Sequence, residues 1–381
     1  MAYLLSHWPT VFGVHIRKYQ AAIILRVFFI GSNSYGSNAR SCADSLRRLG
    51  CDVFDIDQEL YSPPLTSFTS KVGLRLVRSR LVAEFNRAVL DIAARYPHEI
   101  FLAFKGTYLL PETLRTIRQL GASLYNFYPD TSAFNSGKWL PLSLPEYDCV
   151  FYTKPFWYRD VIKRIPLKNG FFLPHGYDPV VHRPFSLSNR DYADYACDVS
   201  LIATHMPHKE GVLTKLMQLR PRLHLRIWGN RWTTHCKDSA LRRWVQGFPV
   251  HGERYSRAIC ATKINLAIMG GKVEGASSGD LTTNRTYAIP ATGGFMLHER
   301  NDEVLSLYRE GVEIECFDTP EELAEKIDYY LAHPEKLGRI AHAGHLRCVP
   351  AYSYDNRMAD LLRWHEEHSS RPTVPSLEDP G

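Results

Sequence analysis

The chain has 381 residues, of which 45% are hydrophobic and 23% charged, with a formal net charge of +6. That length exceeds one ordinary core and predicts two domains. The mild positive charge suits an anionic ligand or a membrane surface, and without an RNA- or DNA-binding motif it argues against a nucleic-acid partner.

The chain opens on an extension, residues 1–20, with no pattern of its own. The apolar run AAIILRVFFIG at 21–31 is broken by Arg26 and is too short for a membrane span, so it reads as the first core strand. Strands are predicted over 23–30, 51–56, 99–104, 122–128, 148–153 and 170–174 from their length and their β-branched and aromatic content. A helix is predicted over Ser37 to Leu49, with Ser37 as N-cap and Gly50 as the stop. A longer helix, Lys71 to Tyr96, carries Arg75, Arg78, Arg80, Arg87 and Arg95. Such a face is ordinarily solvated, and it is also the pattern that lies on an anionic membrane. LPHGYDPVVHRP at 173–184 reads as a linker or hinge. A second series starts at Asp198, with strands over 198–204, 223–228, 263–268, 294–298 and 312–317 and helices over 209–219, 320–332, 334–347 and 353–368. The tail 369–381 is polar, rich in proline and expected to be disordered. Alternation of this kind predicts a doubly wound parallel sheet in each half, with domains at 1–174 and 175–368.

Several motifs bear on chemistry. The eight cysteines form no CxxC or zinc spacing and the sixteen histidines no HExxH pattern, which argues against a metal and fits a reducing, cytoplasmic compartment. The turn GSNSYGSNAR at 31–40 is neither a Walker loop nor GxGxxG. Only the distance to Asp55 favours a dinucleotide there, and a wall lining an interdomain cleft is the preferred reading. Asp55-Ile56-Asp57 has a metal-binding DxD spelling, but a strand end accounts for it. Asp130 directly follows an apolar strand, where a carboxylate can take or orient a hydroxyl proton, or else cap a turn. Lys209 opens a helix, a position the dipole disfavours for a cation unless an anion binds between them. Gly229 and Asn230, in LRIWGNRW, end a strand in a turn that a ligand ring can approach. DLTTNRTYAIPATGGFMLHE at 280–299 joins a hydroxyl-rich turn, Arg285, a short helix segment, Gly293-Gly294 and an apolar strand. A helix start with an arginine is a phosphate site in outline; an ordinary cap before a buried strand is the alternative.

From about residue 170 to 365 these pieces resemble the CgeB-like, spore-maturation-protein type glycosyltransferases. The residues that carry the resemblance are DVSLIAT from Asp198, Lys209, IWGNRW, ATKINLAIM, DLTTNRTYAIPATGGFML, EGVEIECFDTPEEL and YSYDNR. The resemblance implies a GT-B fold of two Rossmann-like domains facing across a cleft, with the final helix crossing back to the first. It implies a nucleotide-diphosphate sugar as donor, held by the second domain at Lys209, Arg285, Gly229, Asn230, Thr286, Tyr287, Gly293 and Gly294. It also implies a glycan, lipid-linked or other hydroxyl acceptor on the first domain, and transfer without a metal or cofactor, with retention. Asp130, backed by His175, is the candidate base under inversion. A cytoplasmic enzyme, peripheral at the inner membrane face, fits a lipid-linked acceptor. Ala288 stands where the family usually has a glutamate expected to bond the donor's ribose, so a catalytically degenerate nucleotide-sugar-binding protein is the alternative.

Overall fold

The computed structural model describes residues 24–61 and 68–369. The expected extension and nearly all of the expected tail lie outside those residues. In the first half, β1 (Arg26–Gly31), β2 (Asp52–Asp57), β3 (Ile100–Phe104), β4 (Ser123–Tyr128), β5 (Cys149–Tyr152) and β6 (Gly170–Phe172) pair in parallel in the order β2-β1-β3-β4-β5-β6. Between them run α1 (Asn38–Arg48), α2 (Phe68–Arg95), α3 (Pro111–Gln119), α4 (Trp139–Ser143) and α5 (Trp157–Val161). Ser37 caps α1 by accepting the Arg40 amide, and Gly50 follows the helix with a positive φ of 90°. Both faces of this sheet are covered, so β3 is apolar and buried along its whole length.

The second half holds α6 (Asn189–Tyr195), β7 (Cys197–Ile202), α7 (Pro207–Leu219), β8 (Leu225–Trp228), α8 (Trp232–His235), α9 (Ser239–Arg242), α10 (Glu253–Ala261), β9 (Thr262–Ala267), α11 (Asn284–Ala291), β10 (Met296–Glu299), α12 (Asp302–Leu307), β11 (Glu315–Phe317), α13 (Pro320–Ala332), α14 (Pro334–Cys348) and α15 (Tyr354–His368). Its strands are again parallel, in the order β11-β10-β9-β7-β8.

The chain passes between the halves twice, at 173–178 and at 349–354. These segments lie side by side: the Tyr177 amide donates to the Tyr352 carbonyl at 3.1 Å, and the Tyr354 amide to the Tyr177 carbonyl at 2.8 Å. Gly176 is required there, because a Cβ would stand 2.9 Å from the Tyr354 nitrogen. The predicted hinge is therefore a buried, pinned crossing over Leu173 to Asp178. Beyond it, α15 buries Tyr354, Met358, Leu361 and Trp364 in the same core as Ala39, Cys42 and Leu46 of α1. Arg48 and Asp355 clamp that contact at 2.6 Å.

Along α2, Val82, Phe85, Val89 and Ala93 face the sheet while Arg78, Arg80, Arg87 and Arg95 are exposed. Its apolar face is thus spent on the core and the arginines stand in solvent; the Arg75 side chain lies outside the described residues. No described helix is long and apolar enough to cross a membrane.

Candidate functional site

Ligands of open parallel sheets sit beyond the carboxyl ends of the strands, where the strand order reverses. In the second sheet that point lies between β7 and β9. Lys209 comes from the first turn of α7, directly after β7, and its Nζ donates to the Thr204 carbonyl at 3.2 Å. Arg285 comes from the first turn of α11, and its Nη2 donates to the Ile268 carbonyl, just past β9, at 2.9 Å. The structure thus brings these two cations, 76 residues apart in sequence, close enough for the charge of Arg285 to act on Lys209.

Neither cation forms an ion pair with a described residue. Lys209 is only 4% exposed, and the Arg285 Nε is buried without a hydrogen-bond partner. Burial, then the charge of Arg285, pushes the Lys209 ammonium down to about 7. Burial likewise lowers Arg285, against the opposing influence of Tyr255, Asp280 and Glu299. Two like charges held together at helix N-termini with little exposure are costly when bare. A diphosphate relieves that cost, since it accepts from both side chains and from the free amides of α7 and α11. Tyr255 of α10 adds a third donor, without a hydrogen-bond partner among the described residues. Its hydroxyl is buried, burial keeps it well above its usual pKa, and it lies within the field of Arg285.

Carboxylates close the crevice from the sides. Lys154, which follows β5 in the first half and is 1% exposed, reaches across to Asp280 Oδ1 at 2.9 Å and to the Thr282 carbonyl at 2.7 Å. Burial alone would raise the Asp280 carboxyl, but Lys154 and Arg285 hold it below its ordinary value. Glu303 differs: Oε1 accepts from the Thr282 hydroxyl at 2.9 Å, Oε2 is buried without a partner, and burial pushes the group up to about 7. Glu299, at the end of β10, accepts from the Met269 amide at 2.5 Å and from His208 Nε2 at 2.6 Å. Among the described residues no three His, Cys, Asp or Glu side chains are grouped to hold a metal ion. Asp55 of the DxD spelling pairs with Arg47 at 2.6 Å, and Asp57 accepts the Glu59 amide at 2.9 Å.

The other expected site residues are distributed as follows. Asp130 stands past the end of β4, paired with Lys105 Nζ at 2.6 Å. Both ring nitrogens of His175 face partners within the protein. Its Nε2 faces the Pro129 carbonyl and its Nδ1 the Tyr354 hydroxyl, each at 3.3 Å. A carbonyl only accepts, so the proton sits on Nε2 and the Nδ1 lone pair takes the tyrosine O–H. Burial pushes this ring down to about 3. Thr286 and Tyr287 are both fully buried. Thr286 Oγ1 meets His298 Nε2 at 3.0 Å and accepts the Thr283 amide, while Tyr287 packs edge-on against Tyr352.

Gly293 and Gly294 lie away from Arg285 for a geometric reason. A helix that starts at the carboxyl edge of a parallel sheet must end at the amino edge, so the glycines that follow α11 lie at the far end of the strands from Arg285. Gly293 ends the helix at φ 80°, and a Cβ on Gly294 would meet Ile259 at 2.5 Å. Both line a depression of about 820 Å³ with Cys197 and Thr262, which begin β7 and β9. A second depression, of about 700 Å³ beside Glu210, Lys215 and His235, flanks α7; neither includes Arg285. Gly229 and Asn230 do lie at the carboxyl edge. There Gly229, at φ 134°, admits the chain's own backbone, since a Cβ would sit 2.0 Å from the Ala203 carbonyl oxygen. The Asn230 carbonyl then accepts the His205 amide at 2.9 Å, fixing the loop that leads into α7.

Lys154 and Glu303 were not foreseen as site residues, although Lys154 directly follows a predicted strand. Tyr255 left no signal, because Gly252 opens α10 at φ 58° without a side-chain cap.

Residues 209–363 match a family described as "Glycosyl transferase-like". No curated protein sequence matches the chain at a significant level. Solved structures share its architecture at low identity. Sucrose-phosphate synthase from Thermosynechococcus elongatus is 12% identical with a TM-score of 0.65, over 90% of this chain and 98% of that one. A glycosyltransferase from Rickettsia africae is 12% identical with a TM-score of 0.61, over 90% and 98%. Anabaena HepE, solved with UDP and glucose, is 11% identical with a TM-score of 0.62, over 90% and 100%. The fold is that of the GT-B glycosyltransferases: two parallel-sheet, Rossmann-like domains.

Proposed function

We propose that this chain transfers a sugar from a nucleotide-diphosphate donor to a hydroxyl acceptor, glycan or lipid-linked. The observation that carries the reading is the convergence of the buried Lys209 and the part-buried Arg285, neither paired with a carboxylate among the described residues, at the switch point of the second sheet. Breaking the bond between the anomeric carbon and phosphate builds negative charge on the diphosphate. Donors already aimed at that charge stabilise the transition state more than the ground state. In this reading Lys209, Arg285, the Tyr255 hydroxyl and the amides of α7 and α11 hold the leaving group, with no resident metal or cofactor. HepE, which shares the fold, is also known with UDP-glucose, which supports a nucleotide sugar as donor.

The acceptor binds on the first domain. Transfer proceeds with retention, the acceptor attacking on the leaving-group face; under inversion Asp130 is the base. The resemblance to the CgeB-like enzymes favours that subtype, and a lipid-linked acceptor would place the enzyme at the cytoplasmic membrane face. Ala288 favours a second reading, donor binding without turnover. It is fully buried in an apolar cluster with Tyr255, Tyr287 and Met269, where a ribose-bonding carboxylate is missing.

The test is Arg285→Ala assayed with a panel of nucleotide sugars. Turnover or slow donor hydrolysis should fall by roughly a hundredfold or more, as when one key electrostatic donor is lost. Near-normal turnover removes Arg285 from the mechanism. Calorimetric donor binding with no hydrolysis or transfer across the panel establishes the second reading.

A further inference from the structure

The first domain carries a basic aromatic platform that the donor site does not use. Its parts come from α2 and from the loops that follow β3 and β4, on the carboxyl edge of the first sheet. Arg78 lies over two rings, 5.7 Å from the Tyr108 centroid and 5.4 Å from that of Trp139. Lys138 lies over Trp139 at 4.9 Å, and the two rings meet edge to face at 6.3 Å. Arg78 and Lys138 are exposed and form no ion pair with a described residue, whereas Arg80, two residues along α2, is paired with Glu84.

The platform is held in place from below. Asn86, 4% exposed on α2, donates to the Tyr108 carbonyl at 2.8 Å and accepts the Leu110 amide at 2.9 Å. The buried Ser143 hydroxyl donates to the Leu109 carbonyl at 2.7 Å. On the other loop, the buried Tyr128 hydroxyl donates to the Ser132 carbonyl at 2.6 Å. Gly137, at φ 89°, turns that loop so that its Cβ position comes 3.7 Å from Arg78 Nη2. The Lys105–Asp130 pair stands on the same edge, past the ends of β3 and β4.

We propose that Arg78, Tyr108, Lys138 and Trp139 form an acceptor subsite for a sugar that carries a phosphate or carboxylate. This deepens the transferase reading and rests on it. Sugar rings present C–H faces that pack on aromatic rings, and a guanidinium with an ammonium at the same ring receives the anion. Two cations beside one indole, neither in an ion pair with a described residue, repel each other, and an anion between them removes that repulsion.

The experiment is saturation-transfer NMR with competition titration, using a methyl hexoside, its uronate and its 6-phosphate. The proteins are the wild type, Trp139→Ala and the double variant Arg78→Gln/Lys138→Gln, each checked for an unchanged melting temperature. The charged probes should bind at least fivefold tighter than the neutral one. The double variant should erase that preference, and Trp139→Ala should weaken all three. A stronger phosphate arm identifies a phosphorylated or pyrophosphate-linked acceptor, and a stronger carboxylate arm an acidic sugar. Equal binding of neutral and charged probes, a preference that survives the double variant, or no binding at all overturns the subsite. Nucleoside diphosphate titrations on the same proteins separate the two readings. If nucleotide binds and the sugar probes fail, only the subsite falls. If the wild type binds no nucleotide, the transferase reading falls whatever the sugars do.

Discussion

In the proposed donor site Lys209 should make binding dependent on pH, and the sign follows from its surroundings. With the crevice empty, burial and Arg285 push its ammonium down from 10.5 to about 7. A diphosphate pairs with the protonated form, so binding draws a proton onto Lys209 wherever the empty site has lost it. At the midpoint half of the molecules carry the proton; two pH units higher about one in a hundred does. The apparent Kd should therefore rise on the order of fiftyfold between pH 7 and pH 9, which corresponds to ~2.3 kcal/mol. Calorimetry at pH 8 in buffers of different ionisation enthalpy should register close to one proton taken up per donor bound. Nucleotide sugars are suitable ligands because their diphosphate diester does not titrate in this range. Lys209→Met should bind more weakly at pH 6 and show neither the pH dependence nor the proton uptake. The same shift acts on folding. Because the folded value lies below the unfolded one, the unfolded chain holds more protons between about pH 7 and 10.5, and stability should rise with pH across that window. A wild-type Kd that stays flat from pH 7 to 9, with no proton uptake, refutes the assignment of Lys209 to the diphosphate.

Tyr255→Phe removes a hydroxyl that has no hydrogen-bond partner among the described residues. The melting temperature should stay put while donor affinity falls about tenfold, roughly one hydrogen bond to a charged group; an unchanged affinity places that hydroxyl outside the site. Lys154→Met strands the Asp280 carboxylate and should destabilise the fold by about 3 kcal/mol in chemical denaturation, with part regained on adding Asp280→Asn. Additive losses in that cycle would mean that the pair is not coupled. Glu303 has a folded value of about 7, above its ordinary one, so its contribution to stability is complete at low pH and lost as pH rises through about 7. Glu303→Gln should thus gain about 1–2 kcal/mol over wild type at pH 8 and little at pH 5; equal differences at both pH values would contradict the shift.

Much of the fold was legible in the chain because buried parallel strands and their cover helices are dictated locally. The run IFLAF is apolar at every position because both faces of β3 are covered. α13 occupies the predicted 320–332 because Thr319 caps it and Pro320 opens it. α10 was missed because its start is made by backbone conformation alone, with Gly252 at φ 58° against Tyr35 of the first domain. Of the site, the sequence marked Arg285 and Lys209, since a cation at a helix start is an anomaly visible in one dimension.

The glycines following α11 show where that kind of inference ends. A glycine pair beside a phosphate-type helix reads as part of the site, yet the helix carries it to the opposite end of the strands. The sequence by itself determined the strand and helix series, and hence two parallel α/β units, because hydrophobic period and caps act over a few residues. Only the tertiary structure decided which polar groups share a crevice. Lys154, Asp280, Glu303 and Tyr255 come from segments far apart in the chain, and their charges and unpaired atoms acquire meaning only through the burial and proximity that packing imposes.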